Sequence, residues 1–88
     1  MNAVRAIYED KDGVVWIGTE GGGVNRVLAR KNFRLYRAGG KPGSLSHNVI
    51  RSIYEDSNER IWVGTQGGGL NLFDRNSETF SQINIKTR

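Results

Sequence analysis

One block of this chain is written twice. Asn2, Arg5, Ile7, Tyr8, Glu9 and Asp10 return as Asn48, Arg51, Ile53, Tyr54, Glu55 and Asp56, each pair 46 residues apart. At the same offset Trp16, Gly18, Thr19, Gly21, Gly22, Gly23 and Asn25 return as Trp62, Gly64, Thr65, Gly67, Gly68, Gly69 and Asn71. From residue 2 to residue 27 the copies align without a gap, and 13 of those 26 positions are identical. Beyond that block the alignment slips by one residue, so that Phe33 matches Phe80. Such a repeat restricts the fold to architectures that use one supersecondary unit more than once, each unit burying its apolar faces against a neighbour.

Each unit reads as β throughout. Runs of β-branched and aromatic residues bounded by turn residues predict strands over 4–9, 14–19, 24–28 and 33–37. The second copy repeats them over 50–55, 60–65, 70–74 and 79–83. Asp12-Gly13 signals a tight hairpin between the first two strands, and Ser57-Asn58-Glu59 takes its place in the second copy. Strict alternation along the first strand puts Val4, Ala6 and Tyr8 on one face and Ile7 on the other, as in a strand covered on both sides. No segment carries a 3.6-residue apolar period, so no helix is expected. Four short strands per unit at this spacing predict an all-β fold of two four-stranded antiparallel β-propeller blades, the ring being completed by oligomerisation. The boundaries expected are blade 1 over 1–41, a connector over 42–47 and blade 2 over 48–88.

The repeated text resembles a known family. Val4-x-x-Ile7-x-Glu9-Asp10, followed by Trp16-Ile17-Gly18-Thr19-x-Gly21-Gly22-Gly23-Val24-Asn25 and the matching second copy, is similar to the two-component-regulator propeller repeat. The segment from Pro42 to Val49 resembles that family's inter-blade loop. The resemblance implies a blade architecture taken from large propellers in the periplasmic sensor portions of hybrid histidine kinases, which are associated with glycan sensing. It implies a periplasmic location if the chain follows the family. Two repeats are present without an immunoglobulin-like, kinase or receiver segment, so signalling activity is not carried over. A fragment of a larger propeller or an engineered repeat pair is expected. WD40 and kelch propellers fit less well, because the Trp-Asp dipeptide and the kelch aromatic spacing are absent.

Composition removes several function classes. The chain holds 88 residues, no Cys and one His, which excludes disulfides and thiolate metal sites and leaves few other metal options. A small core without staples calls for oligomerisation or for membership of a longer chain. No apolar run approaches the roughly 18–20 residues of a membrane span. The formal net charge of +4 is unevenly spread. No carboxylate lies between Glu20 and Glu55, while Arg26, Arg30, Lys31, Arg34, Arg37, Lys41 and Arg51 fall inside that window. Without a nucleic-acid motif, this window reads as a solvated outer edge that discourages edge-to-edge pairing, and no nucleic-acid or membrane partner is expected.

Gly18-Thr-Glu-Gly-Gly-Gly23 opens a strand where a phosphate loop needs a helix, and Gly39-Gly40-Lys41 runs into Pro42, so no nucleotide or other cofactor is expected. Gly21, Gly22, Gly23 and Gly67, Gly68, Gly69 read as turns between second and third strands. Trp16 and Trp62, with Gly18 and Gly64 making room beside them, read as packing between blades. Asp10, Asp56, Thr19 and Thr65 are expected to satisfy turn backbone groups. Glu9-Asp10 and Glu55-Asp56 are adjacent, so along a strand each pair points to opposite faces and cannot flank one bond. His47 has no recurring nucleophile beside it, and no metal or catalytic residue is assigned. A meander places the glycine turns and the connector at one end, which makes Arg5, Arg51, Glu20, Gln66, Lys41, His47 and Asn48 the ligand-face candidates. The expected function is a non-enzymatic blade pair whose partner is itself. Four chains stand ahead of three because the resembled family builds large rings. A lectin-like module that binds a glycan through the loop face is the alternative, and a propeller lyase is a more remote one.

Overall fold

The structure, a computed structural model, describes residues 3–29 and 32–83. Eight strands run in chain order: β1 (Val4–Glu9), β2 (Val15–Thr19), β3 (Val24–Ala29), β4 (Asn32–Tyr36), β5 (Ile50–Glu55), β6 (Ile61–Thr65), β7 (Leu70–Asp74) and β8 (Thr79–Ile83). They form two four-stranded antiparallel meanders, β1-β2-β3-β4 and β5-β6-β7-β8. The repeat thus folds as two like blades, in agreement with the expected fold class. The β1–β2 hairpin turns through Gly13 at φ 82°, and in the second copy Glu59 adopts the same left-handed region at φ 64° without being glycine. No helix is long and apolar enough to cross a membrane among the described residues.

Strict alternation along the first strand is corrected by the structure. Val4 pairs with Thr19 and Ala6 with Gly18, so Arg5 is an extra residue in β1, and Arg51 is the equivalent bulge in β5. A bulge shifts every residue before it to the other face. Val4 therefore shares a face with Ile7 rather than with Ala6 and Tyr8, and Ile50 shares one with Ile53. Apolar residues three apart in an otherwise alternating strand are the sequence trace of that bulge.

The two blades come closest at β1 and β5, where β5 also touches β2, and small residues make that approach possible. A Cβ on Gly18 would collide with the Ile50 side chain and lie 3.2 Å from Ile53 Cδ1. Farther out the gap widens and rings fill it. Trp16 meets Phe73 edge-on at 5.0 Å between centroids, Tyr36 lies 5.3 Å from both Phe73 and Phe80, and these two stand 5.0 Å apart. The shared core of Trp16, Val24, Ile50, Ile53, Ile61, Val63, Phe73 and Phe80 thus sits between the blades, with Leu45 of the connector closing one end. The wedge shape, glycine inside and aromatics outside, is what splays blades around an axis.

Trp16 is fully buried in this junction, whereas Trp62, at the same place in blade 2, faces outward and is half-buried. Trp16→Ala is expected to cost roughly 3–5 kcal/mol through the cavity it leaves. In dilute protein Trp62→Ala should cost clearly less, and urea unfolding of the two variants side by side checks the order.

Candidate functional site

At one end of the blades the glycine turns and the connector come together. Gly21, Gly23, Gly67 and Gly69 lie at φ between 75° and 102°, while Gly22 and Gly68 do not need a left-handed backbone. Gly68 is small for another reason, since a Cβ there would meet Ser46 Oγ at 2.5 Å and His47 Cβ at 2.8 Å. In each turn the threonine hydroxyl ties the loop across itself. Thr19 Oγ1 accepts from Gly22 N and donates to Gly23 O at 3.0 Å, and Thr65 repeats this with Gly68 and Gly69.

The connector runs along the outer edge of blade 2 and returns to this end at Ser46. Phe80 N donates to Gly43 O, Ser46 N donates to Asn71 Oδ1, and Asn71 Nδ2 donates back to Ser46 Oγ. Asn71 is fully buried by that exchange. The connector is then gripped by blade 1, because the Asn48 carbonyl accepts both Gly21 N and Gly23 N. Asn48 Oδ1 takes the Ala38 amide at 2.6 Å. His47 Nδ1 accepts Val49 N at 3.1 Å and its ring lies against Gly67. Lys41 is exposed farther out, where its carbonyl accepts from Ser44.

The two bulged arginines share this end with the turns. Arg5 Nη2 lies 3.3 Å from Glu20 Oε2, and Arg51 Nη1 donates to Gln66 Oε1 at 3.0 Å. The two seats are the same position in each repeat, but Glu20 neutralises Arg5 while the amide of Gln66 leaves Arg51 its full charge. Of the ligand-face candidates the structure pairs Arg5 with Glu20 and Arg51 with Gln66, sets His47 and Asn48 between blade 1 and blade 2, and leaves Lys41 apart from these pairs.

The basic window does not form one edge. Arg26 is inside the blade junction, its guanidinium 5.1 Å from the ring centres of both Trp16 and Phe73. Arg34 pairs with Glu78 at 3.4 Å, and Arg37 donates to Gly22 O. Arg30 and Lys31 lie outside the described residues.

The opposite end carries the acidic turns and a connection that the sequence reading missed. Asp10 Oδ1 accepts the amides of Asp12 and Val14, and Asp10 Oδ2 accepts the indole N–H of Trp16 at 3.0 Å. Asp56 does the same with Asn58, Arg60 and, at 2.7 Å, Trp62. One carboxylate so fixes both the hairpin turn and the indole, and the signal for it was a six-residue Asp-to-Trp spacing present in both copies. The Trp62 N–H, helped by the Arg60 and Asn58 amides, holds the Asp56 carboxyl well below the usual carboxylate range. Across the junction Arg75 reaches Asp10, Asp12 and Glu55 at 3.2–3.6 Å, and Lys11 Nζ meets Glu59 at 2.6 Å. Among the described residues no group of three His, Asp or Glu side chains is arranged to hold a metal ion.

The family described as two component regulator propeller matches residues 2–21 and 44–67, which take in the first two strands of each copy, the start of each glycine turn and the last part of the connector. This chain belongs to that family. Among solved structures it is 33% identical to the extracellular domain of the putative one component system BT4673 from B. thetaiotaomicron, with a TM-score of 0.79 over 92% of this chain. The BT4673 domain, described elsewhere as a putative hybrid two component system, also matches at 33% identity and a TM-score of 0.77 over 92% of this chain. The extracellular domain of BT3049 from the same organism matches at 29% identity and 0.75, again over 92%. In all three the chain spans 11% of the larger domain. No curated protein matches it. Propeller blades of the regulator type are thus the architecture of this chain as well as of its relatives.

The Asp-to-Trp connection makes stability depend on acid in a defined direction. Because Asp56 is held below its ordinary value, the stability it supplies is present above about pH 4 and is lost as pH falls below that value. Asp56→Asn should lower stability at pH 7 and flatten its fall between about pH 4 and pH 2, as read by thermal unfolding across that range.

Proposed function

We infer that this chain is a non-catalytic pair of sensor-propeller blades that stacks with further copies of itself into a closed ring. In this reading it works outside the cytoplasm, in the periplasm, as part of the sensing apparatus its relatives belong to.

One comparison carries the reading. Residues at equivalent places in the two repeats differ in exposure according to whether a neighbouring blade covers them. Ile7 is 67% exposed and Ile53 7%, Val4 is 54% exposed and Ile50 0%, and Phe33 is 62% exposed and Phe80 4%. On the other face Tyr54 is exposed and Trp62 half-buried, while Tyr8 is half-buried and Trp16 buried. The exposed face of blade 1 and the exposed face of blade 2 therefore each repeat one half of the junction that the chain makes with their opposite faces. A second copy supplies the missing half to each. Unlike faces associate head to tail, and blades that splay around an axis close. Whole chains bring two blades each, so three chains give six and four give eight. Four is the number we favour, given the large propellers of this family.

The side chains nearest to acid–base chemistry are already engaged. Asp10 and Asp56 are saturated by N–H donors, and His47 Nδ1 is taken by a backbone amide. Sensing falls to the loop end, where the bulges present Arg5 and Arg51 beside the glycine turns.

Light scattering on the purified 88-residue protein tests the assembly. A single species of three or four chains is expected, and Trp62 fluorescence should shift to the blue as it forms. A soluble 9.8 kDa species that unfolds cooperatively at every concentration overturns it.

A further inference from the structure

We propose that the contact between copies is a knob-in-hole joint in which Val4 and Ile7 of one chain enter the hollow over Gly64 of the next. This rests on the ring reading above and assigns its interface to particular residues. Inside the chain the bulge at Arg51 brings Ile50 and Ile53 to one face of β5, and both point into the space over Gly18 that any Cβ would fill. The bulge at Arg5 does the same for Val4 and Ile7 on β1, where both are exposed. Blade 2 in turn has an open hollow of about 590 Å³ over Gly64, bordered by Ser52, Thr65, Leu70 and Ile83. Knob and hole are both present, on opposite faces of one chain, so a second copy offers each its complement.

The sizes of the parts agree. Where the in-chain joint sets Ile50 over Ala6 and Gly18, the joint between copies sets the smaller Val4 over Ser52 and Gly64. The knob loses a methylene where the floor gains a hydroxyl, and Ser52 Oγ stands only 2.5 Å from where a Gly64 Cβ would be. The two changes run in opposite directions, a smaller knob over a fuller floor. Charge separates the two joints. Lys11 and Glu59 clasp the in-chain junction, but their equivalents at the joint between copies are Ser57 and Gly13. The joint between copies therefore lacks that clasp, although Arg60 over the Trp62 ring leaves one cation on its blade 2 half where the in-chain junction has Val14, so no ion pair of the Lys11–Glu59 kind strengthens it at low salt.

Complementary variants test it. Ile7→Asp removes the knob at an exposed site and leaves the hole; Gly64→Val fills the hole and leaves the knob. Each alone should run at the mass of one chain, with the head-to-tail contact weakened at least about 30-fold. Mixed in equal amounts, they should form a species of two chains and go no further, since only one competent joint remains. Ser52→Arg, at an exposed position, replaces Gly64→Val should that variant fail to fold. Wild-type protein that assembles while Ile7→Asp and the filled-hole variant assemble equally well overturns the joint and leaves the ring. A mixture that stays at single-chain mass also overturns it. Wild-type protein that never exceeds one chain fails at the earlier step, the ring itself.

Discussion

The carboxylate of Asp10 is held by two turn amides and by the indole of Trp16, and the rest of the blade depends on that small arrangement. Without the amide contacts the β1–β2 turn would have buried polar groups to satisfy. Without the indole contact Trp16 would carry an unpaired N–H into the core, at about 1–3 kcal/mol. With both, the ring is tied by its N–H to its own hairpin turn and held on the face where Phe73 of the next blade meets it. The same bond in blade 2 holds Trp62 in the same pose before anything covers it. The junction is pre-organised by a polar contact and stabilised by an apolar one.

From that pose the shape of the molecule follows. A large ring outside and a glycine inside make the space between blades a wedge, and a wedge repeated sets an angle between sheets. The connector reinforces the angle from the other end, because it lies along blade 2 and is gripped by the glycine turn of blade 1 through the Asn48 carbonyl. Both ends of the junction are therefore fixed by hydrogen bonds, and its middle by packing. The glycine-turn end inherits this rigidity. Arg5 and Arg51 project from bulges in strands whose neighbours are locked, so their spacing is set by the fold rather than by their own flexible stems.

Much of this was legible in the sequence, and the losses have particular causes. The repeat at 46 residues gave the blade, the strand order and the place of the glycine turns, because a unit that recurs must fold the same way twice. The bulge was not read, since alternation was applied strictly where Val4 and Ile7, and Ile50 and Ile53, stand three apart. Arg26 was placed at a solvated edge by its charge, yet two aromatic faces and the Tyr36 hydroxyl hold its guanidinium inside the junction. Periodicity could have found it, because its neighbours across β2 and β4, Trp16 and Arg34, lie on the face turned to blade 2. The unequal exposure of Trp16 and Trp62 was not legible at all. It comes from what stands beside each blade, which no pattern within the blade records.

Arg26 also bears on how the in-chain junction differs from the joint proposed between copies. Its Nε is buried without a hydrogen-bond partner among the described residues, and a buried polar atom left unsatisfied is costly. The in-chain junction can carry that cost because the connector holds its halves together, at an effective concentration no free partner reaches. The equivalent residue in blade 2 is Leu72, on the face that a separate chain would have to meet. A joint formed between free molecules has no tether to offset desolvation of a cation, so an apolar side chain there favours association directly. In the ring proposed above, arginine would stand at this position where the joint is covalently tethered and leucine where it is not, a divergence that matches the different work of each face.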